Sequence, residues 1–250
     1  MRRFIKERTA LTYLSCLGSL IILCSTARTQ AGMITSGAGV LGGGGTVSGL
    51  AIIAMQPGND NTTTASPNVV SFQTSFTAPA PVDIVFQVAD TKPGGGIRPT
   101  TEYFFRDAVT NNTQAPWAGF RFQLGFQTGA RFLGSNPGNN LDFDFPHADP
   151  PPTASLFSHH ESLPPPQQFT ALNWSGGSVS PGRSVDFTFS IDVPNQNQLR
   201  PGGATEFTLR QVPVDPPGVH HLPEPDSLTL CALGILSLVG YGWRRRRTAA

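Results

Sequence analysis

Phe120, Phe122, Leu124 and Phe126 alternate with Arg121, Gln123 and Gly125, and Val185, Phe187, Phe189 and Ile191 alternate with Asp186, Thr188 and Ser190. A period of two marks a strand with one buried face, because successive side chains on an extended chain point to opposite sides. Weaker versions of the pattern recur at 47–55, 70–76, 82–88, 101–106, 141–145, 168–174 and 206–212. No window of helical length carries an apolar stripe, and turn signals such as Pro93-Gly94-Gly95-Gly96, Asn136-Pro137-Gly138-Asn139 and Pro181-Gly182 fill the gaps. Charged residues make up only 13% of the 250, about half the usual share, which argues against a charge-rich helical bundle. The expectation is an all-β domain, an antiparallel β-sandwich of jelly-roll or immunoglobulin-like type, with the sheet topology left open. Phenylalanine, 17 in the chain, dominates the inward positions, and burying each ring is worth about 2 kcal/mol. Three stretches read as irregular: 32–45, 146–166 with its two triple-proline runs, and 213–222.

The two ends follow a different logic. Arg2, Arg3, Lys6 and Arg8 precede an uncharged stretch, 9–27, that holds Leu14, Leu17, Leu20, Ile21, Ile22 and Leu23. This is the basic region and apolar region of a secretory signal peptide, and the apolar part falls short of the ~20 residues a membrane span needs. Small residues permit cleavage after Ala27 or Ala31. The second is favoured, so 1–31 is the expected signal peptide. At the other end 227–243 contains no charge and runs through Tyr241 and Trp243 into Arg244, Arg245, Arg246 and Arg247. The arginines act as a membrane stop-transfer cluster and orient the span with its basic side in the cytoplasm; the aromatic pair sits where an interfacial belt belongs. At 1.5 Å per residue the span is about 25 Å long, marginal for the hydrocarbon core.

Leu222-Pro223-Glu224-Pro225, the short apolar segment with Gly234, Gly240 and Gly242, and the terminal arginine cluster together resemble a PEP-CTERM sorting signal. Four features coincide in order over the last residues of the chain: the Pro-Glu-Pro triplet, a short span, a basic tail and chain termination. The resemblance implies a substrate of exosortase, a membrane enzyme of Gram-negative bacteria that make exopolysaccharide. Exosortase would recognise Pro223, Glu224 and Pro225 and process the protein for the cell surface or extracellular release after transient anchoring in the inner membrane. The implied organisation is a signal peptide (1–31), a secreted β domain (32–212), a Pro-rich linker (213–221) and the sorting signal (222–250), with its transmembrane segment at 227–243.

Cys16, Cys24 and Cys231 all lie in the two end segments, so the expected mature region has no thiol for a disulfide, a nucleophile or a metal site. Between residues 32 and 222, eight lysines and arginines face thirteen acids, a net charge of −5. An acidic surface disfavours nucleic acid as a partner. Asp142, Asp144, His147 and Asp149 offer oxygen and imidazole ligands, yet the two first acids alternate with Leu141, Phe143 and Phe145 as an exposed strand face does. His159-His160-Glu161 and His220-His221 read as loop residues, since adjacent histidines on extended chain point apart. No cofactor and no metal site is expected. Trp117 and Trp174 are the candidate sugar-binding rings, with Tyr103 a third flat face. The leading expectation is an exported, non-enzymatic protein with a structural or adhesive role in extracellular matrix or biofilm. The alternatives are an exopolysaccharide-binding module using the two tryptophans, and a surface hydrolase using the 142–149 region.

Overall fold

The computed structural model describes residues 31–40, 43–59, 66–91, 100–144, 150–162, 169–199 and 204–217. The signal peptide up to residue 30, Pro223, Glu224, Pro225, the segment 227–243 and Arg244 to Arg247 lie outside the described residues. Among the described residues no helix is long and apolar enough to cross a membrane.

The strands assemble into two sheets. The first runs in the order β1 (Gly32–Val40), β4 (Val82–Asp90), β13 (Glu206–Val214), β6 (Gly119–Phe126), β11 (Ala171–Ser175) and β10 (His159–Ser162), with the short β7 (Leu133–Gly134) paired to β6. The second runs β2 (Gly45–Ile53), β3 (Val69–Phe76), β5 (Thr100–Asn111), β12 (Ser184–Pro194) and β8 (Asp142–Phe143), with β9 (Thr153–Ala154) beside β12. Neighbours are antiparallel except β3 and β5, which are parallel. Each of the nine segments read from the alternation contains a strand among the described residues, so the protein is all-β.

The inward faces of the two sheets share one core. Phe122 of β6 lies 5.0 Å from Phe187 and 4.6 Å from Phe189 of β12, centroid to centroid. Phe76 of β3 meets Phe120 of β6 at 5.7 Å, and Phe86 of β4 meets Phe105 of β5 at 5.6 Å, both edge to face. That is the arrangement the ring quadrupole favours. Polar groups also cross the core. The Ile34 N–H of β1 donates to the Tyr103 hydroxyl of β5 at 2.9 Å, and burial pushes that phenol up to about 12.

Three expectations need correction. Most of 32–45 is ordered strand: β1 pairs with β4 along its length, and β2 begins at Gly45. Its glycines hid the pattern because they serve the seam between sheets. A Cβ on Gly37 would come within 2.8 Å of Leu50 and 2.9 Å of the Phe86 ring, and one on Gly39 within 2.7 Å of Val47 Cβ. The stretch 146–166 contains β9 and β10, so His159 and His160 sit on a strand. Lastly, β13 runs to Val214 and so takes in the first two residues of the expected linker. Pro213 is accommodated because pairing to β4 has already ended at Gln211 opposite Val82, leaving only β6 alongside.

The core sets a stability test. Phe122→Ala should destabilise the protein by about 3–5 kcal/mol in urea unfolding, through lost burial and the cavity left behind. Ile53→Ala, at a side chain 49% exposed, should change it by no more than about 0.5 kcal/mol. Equal effects would contradict this account of the core.

Candidate functional site

Loop closure over the outer face of the first sheet builds a surface concavity. β6 ends at Phe126, and Gln127 takes a left-handed backbone (φ 62) that turns the chain back across the sheet. Gly129 (φ 59) opens a short turn, Gly129–Arg131, that leads through Phe132 into β7. The loop is pinned from below. Thr208 Oγ1 donates to the Gln127 carbonyl at 2.8 Å, and the Gly129 N–H donates to Asp83 Oδ2 at 2.7 Å.

Asp83 and Arg210, directly opposite on β4 and β13, form a two-point ion pair. Arg210 Nε reaches Oδ1 at 2.7 Å and a terminal guanidinium nitrogen reaches Oδ2 at 2.8 Å. The same guanidinium donates to the Gly129 carbonyl at 2.6 Å and lies 3.9 Å from the centre of the Phe132 ring. Asp83 is fully buried although it is on the outward face, because the loop covers it.

Beside this pin lies a groove of about 670 Å³ lined by Ser36, Gln87, Gln127, Thr128, Arg131 and Glu206, with Ala38 and Val85 on its floor. Gln87 Nε2 donates to Glu206 Oε2, its cross-strand neighbour on β13, at 2.8 Å. The lining combines hydroxyl, amide, carboxylate and guanidinium groups, a donor and acceptor set that matches a polyhydroxylated ligand. These residues come from four separate chain segments, outward positions of β1, β4 and β13 and the loop after β6, so no linear motif marks them. The sequence signal present was the polar phase of strands 82–88 and 206–212.

The residues singled out from the sequence fare differently. Trp117 and Trp174 are core side chains, 0% and 3% exposed. Trp117 packs on Phe76 and Phe120, and Trp174 on Phe187. Neither ring has a free face for a sugar, which overturns their assignment as binding platforms. Tyr103 is likewise buried. Burial wins because each ring sits in the inward phase of a strand or next to one. Asp142 lies opposite Asp192 in the β8–β12 ladder, and Asp144 follows it with Phe143 turned inward between them. His147 and Asp149 are outside the described residues. Among the described residues no group of three or more His, Cys, Asp or Glu side chains could hold a metal. His159 is exposed, whereas His160 rests 5.1 Å from Trp174 and burial lowers its pKa.

A second polar cluster, inside the core, escaped the sequence reading. Asp107 follows Tyr103 and Phe105 in the inward phase of β5 and is 2% exposed. It accepts from Thr74 Oγ1 of β3 at 3.1 Å and from Gln211 Nε2 of β13 at 2.8 Å. Burial pushes its carboxyl well above the ordinary value of 3.8, against those two hydrogen bonds and with some help from Asp186. A charged residue in phase with aromatic neighbours was the available signal.

Two tests follow. Arg210→Met strands a buried carboxylate and should cost about 3–5 kcal/mol, whereas the double change Asp83→Leu with Arg210→Met should cost much less. A double variant as unstable as the single one would show that the pin is not electrostatic. Between pH 3.8 and its raised folded pKa, Asp107 keeps its proton in the folded state where the unfolded chain has released it, and above that pKa it is the carboxylate that accepts from Thr74 and Gln211. Its stabilising contribution is therefore full below pH 3.8 and is lost as pH rises through the folded pKa. The difference between the unfolding free energies of wild type and Asp107→Asn should fall with rising pH, and a difference that is flat or rises would refute the buried-acid assignment. Comparison with protein-family models, with curated proteins and with solved structures finds no match to this chain, so its function has to be argued from its own residues.

Proposed function

We propose that this protein is an exported, non-enzymatic β-sandwich, sorted by exosortase to the cell surface or extracellular space, with a structural or adhesive role in matrix or biofilm. The observation that carries the reading is the order of features at the C-terminus. Pro223-Glu224-Pro225 is followed by the uncharged 227–243 and then by Arg244 to Arg247, downstream of a basic and apolar N-terminus. The arginines stop translocation and hold the segment with the domain on the far side of the membrane. The proline-rich stretch after β13, 215–221, gives the triplet reach: in polyproline-like extension at about 3.1 Å per residue it would span about 20 Å. Proximity to the bilayer then presents Pro223, Glu224 and Pro225 to a membrane enzyme. The sandwich reading, of jelly-roll or immunoglobulin-like type, is supported by the aromatic contacts that join the two sheets through one core.

The groove lends support to a second reading, an exopolysaccharide-binding module that would use Gln87, Gln127, Arg131 and Glu206 rather than the two tryptophans. Glutamine amides and a carboxylate bind sugar hydroxyls by paired hydrogen bonds, and an open groove admits a chain as well as a chain end.

The deciding experiment compares intact mass and cell fraction of the protein in a producing host with and without a working exosortase. Release with a C-terminus cut near Pro223 to Pro225, lost on deleting the enzyme, is the expected result. Uncut protein held in the membrane in both strains would sink the sorting proposal. Retention on the host's own polysaccharide that Glu206→Ala with Gln87→Ala abolishes would favour the second reading over the purely structural one.

A further inference from the structure

Thr74, Asp107 and Gln211 bring three complementary chemistries together inside the core. Their residues are 1%, 2% and 0% exposed. Thr74 comes from β3 and Asp107 from β5, in the second sheet, whereas Gln211 comes from β13 in the first. The two oxygens of one carboxyl are divided between the other two groups. Oδ1 receives the Thr74 hydroxyl at 3.1 Å, and Oδ2 receives the Gln211 carboxamide nitrogen at 2.8 Å. The remaining carboxamide atom, Gln211 Oε1, is buried with no hydrogen-bond partner.

We propose that this cluster is a self-modification site at which Thr74 and Gln211 join in an ester, a covalent tie between the two sheets. Thr74 Oγ1 attacks Cδ of Gln211, and the Oγ1–Cδ bond forms as its proton passes to Asp107 Oδ1. The Cδ–Nε2 bond then breaks while the carboxyl returns a proton to Nε2. The products are the ester and one molecule of ammonia, and Asp107 ends in the protonation state in which it began. No oxidant, reductant or other reactant enters the balance.

The geometry suits this step because the carboxyl touches the two atoms whose proton count changes, the nucleophile and the leaving nitrogen. A side chain within hydrogen-bond reach of both can act first as base and then as acid. Burial, which raises the affinity of Asp107 for a proton, makes it a stronger base toward a hydroxyl than a solvated carboxylate. Holding the reactants on strands of the two facing sheets, both hydrogen-bonded to one carboxyl, replaces a bimolecular encounter, an advantage that reaches effective molarities of about 10⁵–10⁸ M in well-oriented systems. The core excludes water, which protects the ester once it has formed. An unpaired amide oxygen is also costly to bury, and an ester carbonyl, a weaker acceptor, is less so. The benefit is plain in a domain with no cysteine between residues 32 and 222. β13 is the last strand before the linker, and a tie from it to β3 would resist peeling of the chain from its membrane-proximal end. The chemistry requires only the folded domain and holds wherever the protein is sorted.

The test is a peptide map and intact mass of the full-length chain purified after expression and folding. The expected result is a mass deficit of one ammonia and a fragment in which the peptide containing Thr74 is joined to that containing Gln211, separable by hydroxylamine. Thr74→Val, which keeps the shape and removes the nucleophile, should restore the full mass. Asp107→Asn should strongly reduce or abolish the joined fragment while circular dichroism still reports β-structure. Separate, unmodified Thr74 and Gln211 peptides from folded wild-type protein would overturn the proposal, even if the variants failed to fold. Loss of ammonia that persisted in Thr74→Val would overturn it as well.

Discussion

The interlocking of phenylalanine rings between the two sheets is the interaction on which the rest of the structure depends. Phe122 sits against both Phe187 and Phe189, and Phe105 is stacked on Phe189 and edge-on to Phe86 and Phe72. Rings packed in this way set the spacing of the sheets and the register of β12 on β5, because a slip of one residue would turn every inward ring to solvent. In a stretch without cysteine between residues 32 and 222, these rings pack together within the one apolar core. The glycines of β1 belong to the same constraint. They let Leu50 and Val47 approach from the other sheet and close the seam at the sheet edges.

The polar groups divide between the two faces of the fold. Inside, β5 carries Tyr103 and Asp107 in phase with Phe105 and Val109, and each reaches a group on the opposite sheet. Their directional bonds complement an aromatic layer whose attraction is not directional. Asn111 at the end of the same strand is structural too. It donates to the Ala115 and Val179 carbonyls and accepts from Thr113, so it closes the turn that leads to Trp117. Outside, the Asp83–Arg210 pair anchors the loop after β6 and so shapes the groove beside it. Stability and recognition are thereby linked through one loop, since the ion pair that holds Gly129 also fixes where Gln127 and Arg131 line the groove.

The proposed role joins two parts with separate physics. In that proposal the ends of the chain would be governed by transfer into a bilayer, where charge and apolar length decide orientation. The domain between them is governed by burial within its own sheets. On that proposal the core has to stay closed outside the cell, and of the polar cluster at Thr74, Asp107 and Gln211 only Gln211 lies on β13, the strand that leads into the proline-rich stretch.

The alternating strands were legible in the sequence because period-two patterning is a local property that tertiary context rarely erases. Phe120 to Phe126 and Val185 to Ile191 carry it without interruption, and the boundaries of β6 and β12 follow. The acidic balance and the absence of cysteine in 32–222 were equally plain. What the sequence could not show depended on partners distant in the chain. β1 lacks an apolar alternation and exists because β4 offers it a ladder. Trp117 and Trp174 carry the same chemistry whether they face a ligand or a core, and only packing against Phe76, Phe120 and Phe187 decided between the two. The groove and the buried acid are likewise products of folding, for each gathers side chains from strands that adjoin in space and are far apart in sequence.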